Sequence, residues 1–201
     1  MKSLFIILSS YILCVNSAFG SERLKFMPGD IILTPMNCYL CKVIEKTTNS
    51  IYSHLFIYLG KDKFAHSLSK VELIDLAGIK KLVDKSRPSM HLRHIDSKRF
   101  SGGHFLKVFM SYFKGLSYDK AFLWDNVDEN GREKLYCSEF VAKFYAKAYN
   151  IKLDTLPMEY NEYREFWRGY FEGEIPDGLP GMTPSSFDKS EDFKIINKIH
   201  F

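Results

Sequence analysis

Two residue types at wide spacing give this chain the makings of nucleophilic acyl chemistry: a cysteine that opens a helix and histidines on an upstream hairpin. The cysteine is Cys137 in Tyr136-Cys137-Ser138-Glu139-Phe140-Val141. Apolar residues then recur at Phe140, Val141, Phe144, Tyr145 and Ala148, the spacing of a helix face, and Asn150 is placed to end the run in a left-handed conformation. A thiol at a helix N-terminus sits beside unpaired backbone N–H groups and the positive end of the dipole, and both favour thiolate. Taken alone, Cys137 reads first as a small buried apolar residue. The histidines upstream change that balance.

His54 lies in Ile51-Tyr52-Ser53-His54-Leu55-Phe56-Ile57-Tyr58-Leu59-Gly60, whose aromatic and β-branched content reads as a strand ending in the turn Gly60-Lys61-Asp62-Lys63. Phe64-Ala65-His66-Ser67-Leu68 follows at once, so the pair reads as a hairpin. A three-residue loop, Gly60 to Asp62, sets Phe56 opposite His66 and makes His54 and His66 diagonal neighbours on one face, roughly 7–8 Å apart at the backbone. A four-residue loop would put them on opposite faces. One imidazole can orient another only in the first arrangement; in the second each is a structural strand histidine.

The chain has 201 residues, 46% hydrophobic and 15% aromatic, which suits one packed domain. Residues 1–20 read as a leader: Lys2, an apolar core from Leu4 to Val15, and small residues before a cut after Gly20. That core is short for a bilayer span, and Leu13 before Cys14 does not suit a lipoprotein cleavage site. The expectation is a mature domain over residues 21–201, periplasmic or secreted, with no membrane span after leader removal. The net charge of +4 becomes +3 without Lys2, too mild to imply nucleic acid as a partner.

Three cysteines remain, and an odd count in an exported protein leaves a free thiol or an intermolecular bridge. A Cys38–Cys41 disulfide with Cys137 free is the tidy solution. Cys38-Tyr39-Leu40-Cys41 also has redox-pair spacing, although nothing around it resembles a thioredoxin unit. With no second Cys pair or matching His, the sequence argues against a zinc site, and no cofactor is expected.

Along the chain, Pro28-Gly29-Asp30 leads into a strand Ile31-Ile32-Leu33, and a helix is expected from about Asn37 to Thr47. Ile74 to Val83 reads as a short helix or loop, Met90 to Ile95 as a strand, and Phe105 to Lys114 as a helix ended by Gly115. His91 and His94 fall on opposite faces of their strand, and His104 reads as a cap or surface residue. Strands and helices mix without regular βαβ alternation, which indicates an α+β fold.

Gly29-Asp30-Ile31-Ile32, Tyr52-Ser53-His54, Leu116-Ser117-Tyr118-Asp119 and Tyr136-Cys137-Ser138-Glu139, in that order, resemble the YaeF/YiiX-like permuted papain-fold amidases, relatives of the NlpC-type cell-wall peptidases. The order His before Cys matches the circularly permuted branch, and the tail Met182-Thr183-Pro184-Ser185-Ser186-Phe187 is similar to that group's ending. The resemblance implies an antiparallel sheet packed on helices, Cys137 as nucleophile and His54 as its base. It puts His66 at the third, orienting position, where close relatives carry Glu and NlpC-type enzymes commonly His; Glu72 and Ser67 are the alternatives. Tyr118 matches a tyrosine that can donate to the oxyanion, and it reads equally as a core aromatic with a wet tip.

These assignments describe an exported thiol amidase acting on a peptide or peptidoglycan-type amide. A lipid acyl hydrolase or acyltransferase would share the same Cys-His site, and a non-catalytic ligand-binding module would share only the cleft. Residues 158–175 interleave acids with aromatics (Glu159-Tyr160, Glu162-Tyr163, Glu165-Phe166-Trp167, Tyr170-Phe171). They read as a surface helix with an aromatic face on the core, or as a wall over the cleft. The absence of a long apolar stretch favours peptide-like substrates.

Overall fold

The computed structural model describes residues 24–201, so the leader expected over residues 1–20 lies outside the described residues. In chain order the elements are β1 (Ile31–Thr34), α1 (Tyr39–Thr47), β2 (His54–Gly60), β3 (Lys63–Ser67), β4 (Val71–Ile74), α2 (Leu76–Leu82), β5 (Ser89–His94), α3 (Gly102–Val108), α4 (Cys137–Tyr149), β6 (Leu156–Pro157), α5 (Arg164–Tyr170), β7 (Pro180–Gly181), α6 (Ser185–Asp188) and β8 (Phe193–Ile199). Six strands form one sheet in the order β4-β3-β2-β1-β5-β8, every neighbouring pair antiparallel.

Alternation along the strands separates two cores. Ile31, Leu33, Leu55, Ile57, Leu59 and Ala65 pack with Phe105 of α3 and with Phe140, Val141 and Phe144 of α4. Ile32, Phe56 and Phe64 point the other way, against Ile79 of α2 and against Val83 and Ile199. The apolar spacing in α4 therefore faces the sheet, and Asn150 ends that helix at φ 54°, ψ 33°. The structure is an α+β fold whose antiparallel sheet is packed on helices.

The β2–β3 turn is tighter than a three-residue loop. Lys61 and Asp62 both take positive φ (50° and 55°), the conformation of a two-residue hairpin turn, and a bulge between Tyr58 and Gly60 absorbs the difference. Beyond the bulge Tyr58 pairs with Phe64 and Ile57 with Ala65, the register that the longer loop would also have given. Other boundaries shift. The first helix starts at Tyr39, two residues after Asn37, because Cys38 caps it by accepting from the Cys41 amide. The helix expected over Phe105 to Lys114 starts at Gly102 and widens into a π-turn at Phe109–Phe113.

A buried ionic knot anchors β1 to β5. The Asp30 carboxylate accepts from Arg93 Nε (2.8 Å) and Nη2 (2.7 Å), from the Met27 amide (2.7 Å), and lies 2.7 Å from His91 Nε2. Burial alone would raise the Asp30 pKa; the bonds from Arg93, His91 and Met27 outweigh it and hold it below the usual carboxylate value. His94 is on the opposite face, packed against Phe100, Tyr145 and Phe193. The ring of His104 bonds the Ala148 carbonyl at 2.7 Å, so it caps the end of α4.

Candidate active site

Cys137 is the first residue of α4, and three contacts outside the helix fix where it starts. Ser67 Oγ at the end of β3 donates to the Leu135 carbonyl (2.6 Å). Ser138 Oγ donates to the Met182 carbonyl (2.8 Å), and the Met182 amide donates back to Tyr136 Oη (3.1 Å). Cys137 is thereby clamped between the sheet and Met182. It is a free thiol, while Cys38 and Cys41 form a disulfide at the start of α1.

His54 opens β2 on the other side of this junction. Its Nε2 lies 3.0 Å from Nδ1 of His66 on β3, and both rings are buried. Ser53, the preceding residue, donates to Glu45 of α1 (3.1 Å) and accepts from the Met36 amide (3.1 Å), which pins the start of the strand. Leu55, the following residue, offers its backbone amide to the Cys137 sulfur. One backbone position beside the histidine thus reaches the thiol at the head of α4.

The alternatives for the third position are otherwise engaged. Glu72 pairs with Lys70 at 3.9 Å in a solvent-exposed contact, although it faces His66 across the β3–β4 register. Ser67 is committed to Leu135. His66 is the side chain that reaches His54.

The electrostatics overturn one expectation. A helix N-terminus favours thiolate, and amides of Ser138, Cys137 and Leu55 do act in that direction, but burial is the larger effect and pushes the Cys137 thiol up to about 12. Burial, and then the neighbouring His66, holds His54 well below the ordinary histidine value; burial brings His66 down to about 4. Near neutral pH the resting residues are a thiol and two uncharged imidazoles.

Tyr118 and Cys137 share the wall of a cavity of about 50 Å³, together with Phe122, Tyr160, Trp167 and Met158. Burial, and then the Cys137 sulfur, keeps the Tyr118 hydroxyl protonated far above the usual tyrosine range, so it remains a hydrogen-bond donor. The cavity adjoins a cleft of about 380 Å³; the two share Thr47, Thr48, Met158, Glu159, Met182 and Thr183. In the 158–175 stretch, α5 buries Trp167 against Tyr160 and Phe171, and of these aromatics Tyr160 and Trp167 also line the small cavity beside Cys137. The roles of Met158 and Met182 in the wall carry no signal in the sequence beyond the tail motif.

A family model described as "Permuted papain-like amidase enzyme, YaeF/YiiX, C92 family" matches residues 25–196. The chain belongs to this family. It is therefore an enzyme of the cysteine amidase class, with a permuted papain-like fold. A crystal structure described as that of the metalloprotein YiiX from Escherichia coli O157:H7 superposes with a TM-score of 0.70 at 20% identity, covering 87% of this chain and 99% of that one. No curated protein sequence matches this chain significantly. Among the described residues, no three His, Cys, Asp or Glu side chains converge to hold a metal ion. Among the same residues no helix is long and apolar enough to cross a membrane.

Proposed function

We propose that this protein is an exported cysteine amidase that cleaves an amide bond in a peptide or peptidoglycan-type substrate, with Cys137 as nucleophile and His54 as base. The observation that carries this reading is the free Cys137 at the head of α4, joined through Leu55 to the His54–His66 pair.

For His54 to accept the thiol proton on Nδ1, Nε2 must carry hydrogen and donate to His66 Nδ1, which fixes the tautomer of both rings. The proton leaves the thiol as the sulfur attacks the carbonyl carbon, since the resting thiol is protonated. A C–S bond forms, the carbonyl π pair moves to oxygen, and His54 becomes imidazolium. The Cys137 amide and the Tyr118 hydroxyl are the donors for the oxyanion. Collapse expels the amine, which takes the proton from His54, and leaves a thioester. Water, deprotonated by His54, then releases the acid and restores the thiol.

The leader-like N-terminus supports export, and the small cavity beside Cys137 supports a peptide-like acyl group over a long lipid chain. Cys137→Ala and His54→Ala should each abolish hydrolysis of peptidoglycan-derived peptides, with circular dichroism unchanged. Full activity in His54→Ala would refute the mechanism.

A further inference from the structure

The cavity beside Cys137 contains one buried polar group that the chain leaves unpaired. Tyr160 is 2% exposed, and its hydroxyl has no hydrogen-bond partner. Buried hydroxyls in folded proteins are nearly always bonded, so an orphan in a cavity wall takes its partner from the cavity, a water that a substrate oxygen can replace. The side chain cannot swing away to find one. Its backbone amide donates to Asp177 Oδ1 (3.0 Å), and its ring packs edge-on against Trp167 and Phe171 at 5.0 and 5.3 Å. Of the other two tyrosines in the cavity wall, Tyr136 has its hydroxyl taken by the Met182 amide, and Tyr118 is the proposed oxyanion donor.

We infer that Tyr160 selects the substrate: its hydroxyl donates to an uncharged oxygen at the tip of a short acyl-side group seated in this cavity. Three observations set the chemistry. About 50 Å³ admits a few non-hydrogen atoms and no extended chain. The walls of Phe122, Met158, Trp167 and Met182 favour a group that is apolar up to its end. Glu159 lies at the shared mouth and Asp119 acts electrostatically on Tyr160, while the charge of Asp177 is offset by Arg164, so an anionic tip is disfavoured by Glu159 and Asp119. The preferred acyl residue ends in a carboxamide or hydroxyl rather than in a methyl or a carboxylate. This rests on the proposed role of Cys137, and that the cavity receives the acyl side of the scissile bond is part of the inference.

The test uses near-isosteric N-acetyl aminomethylcoumarin amides of Asn, Leu and Asp. With wild type, kcat/KM for Asn should exceed that for Leu and Asp by at least about tenfold. Tyr160→Phe should erase the Asn-over-Leu preference by lowering the Asn value, leaving Leu within about twofold. An equal fall for all three substrates, or an unchanged Asn preference, overturns the inference. Calorimetric titration of Cys137→Ala with N-acetyl-asparagine amide and N-acetyl-leucine amide separates this from catalysis. An Asn preference in binding that Tyr160→Phe removes supports the subsite even if wild type turns nothing over, which would instead defeat the proposed mechanism. Turnover and binding that are both indifferent to Tyr160 defeat the subsite and leave the mechanism standing.

Discussion

His54 Nε2 and His66 Nδ1 lie 3.0 Å apart on adjacent antiparallel strands, both rings buried and both uncharged near neutrality. A neutral histidine pair can form this bond with one donor and one acceptor; a doubly protonated pair cannot. The contact therefore links the catalytic proposal to the stability of the fold.

The sign of that link follows from the lowered pKa. Between about 4 and the ordinary value of 6.5, His66 is neutral in the folded protein while the unfolded chain takes up a proton. Its contribution is complete above 6.5 and is lost as pH falls toward 4, an effect of about 3 kcal/mol. Glu139 works the other way: burial raises its carboxyl to about 7, so its contribution is lost as pH rises from 4.5 to 7. Comparison with a variant isolates the histidine. His66→Gln keeps an acceptor for His54 and removes the titration, so its melting temperature should fall less than that of wild type between pH 6.5 and 4. Parallel curves would show that His66 does not titrate with the fold.

Tyr118 shares a cavity wall with Cys137, and its hydroxyl proton is retained far above neutrality. A donor used only by the oxyanion contributes to kcat and little to KM. Tyr118→Phe should lower kcat by about 10²–10³-fold with KM within a few-fold. Steady-state kinetics decide it: an unchanged kcat assigns Tyr118 to packing alone.

The Asp30 knot makes a prediction about the scaffold. Asp30→Ala removes the acceptor shared by Arg93, His91 and the Met27 amide and leaves a partly buried guanidinium with the Lys25 carbonyl as its remaining acceptor. The loss should be about 3–5 kcal/mol, read as a shift in the urea midpoint. Asp30→Ala together with Arg93→Met should recover part of it, because the stranded charge is then gone as well.

The legible parts of this fold were those set by local pattern. The apolar spacing through Phe140, Val141, Phe144, Tyr145 and Ala148 marked α4 and its face, and Asn150 marked its end. The order His54 before Cys137 marked the permuted arrangement. β8 was not legible, since a half-exposed edge strand reading Phe-Lys-Ile-Ile-Asn-Lys-Ile alternates too weakly to declare itself. Tyr160 was legible only as one aromatic of the 158–175 stretch that could wall the cleft; its individual role comes from packing against Trp167 and Phe171 of the α5 region and from a partner it lacks. The helix-dipole argument at Cys137 was sound locally. Burial overrode it, and burial is set by Tyr136, Met182 and the sheet together.

That override yields the sharpest prediction. A preformed thiolate–imidazolium pair would alkylate at a nearly constant rate down to the pKa of the thiol, well below neutrality. Here the thiol is held at about 12 and His54 is well below its ordinary value, so the resting site is uncharged. Iodoacetamide should therefore modify Cys137 slowly at pH 7, and the rate should keep climbing beyond pH 9. Cys38 and Cys41 are changed to Ser in this experiment so that Cys137 is the only thiol of the 21–201 chain. The bridge closes only a short loop, so its loss should cost about 2 kcal/mol at most. A rate already maximal at pH 6 and lost in His54→Ala would mean that the ion pair forms before substrate arrives. The attack would then begin from thiolate, and the proton would have reached His54 in the free enzyme.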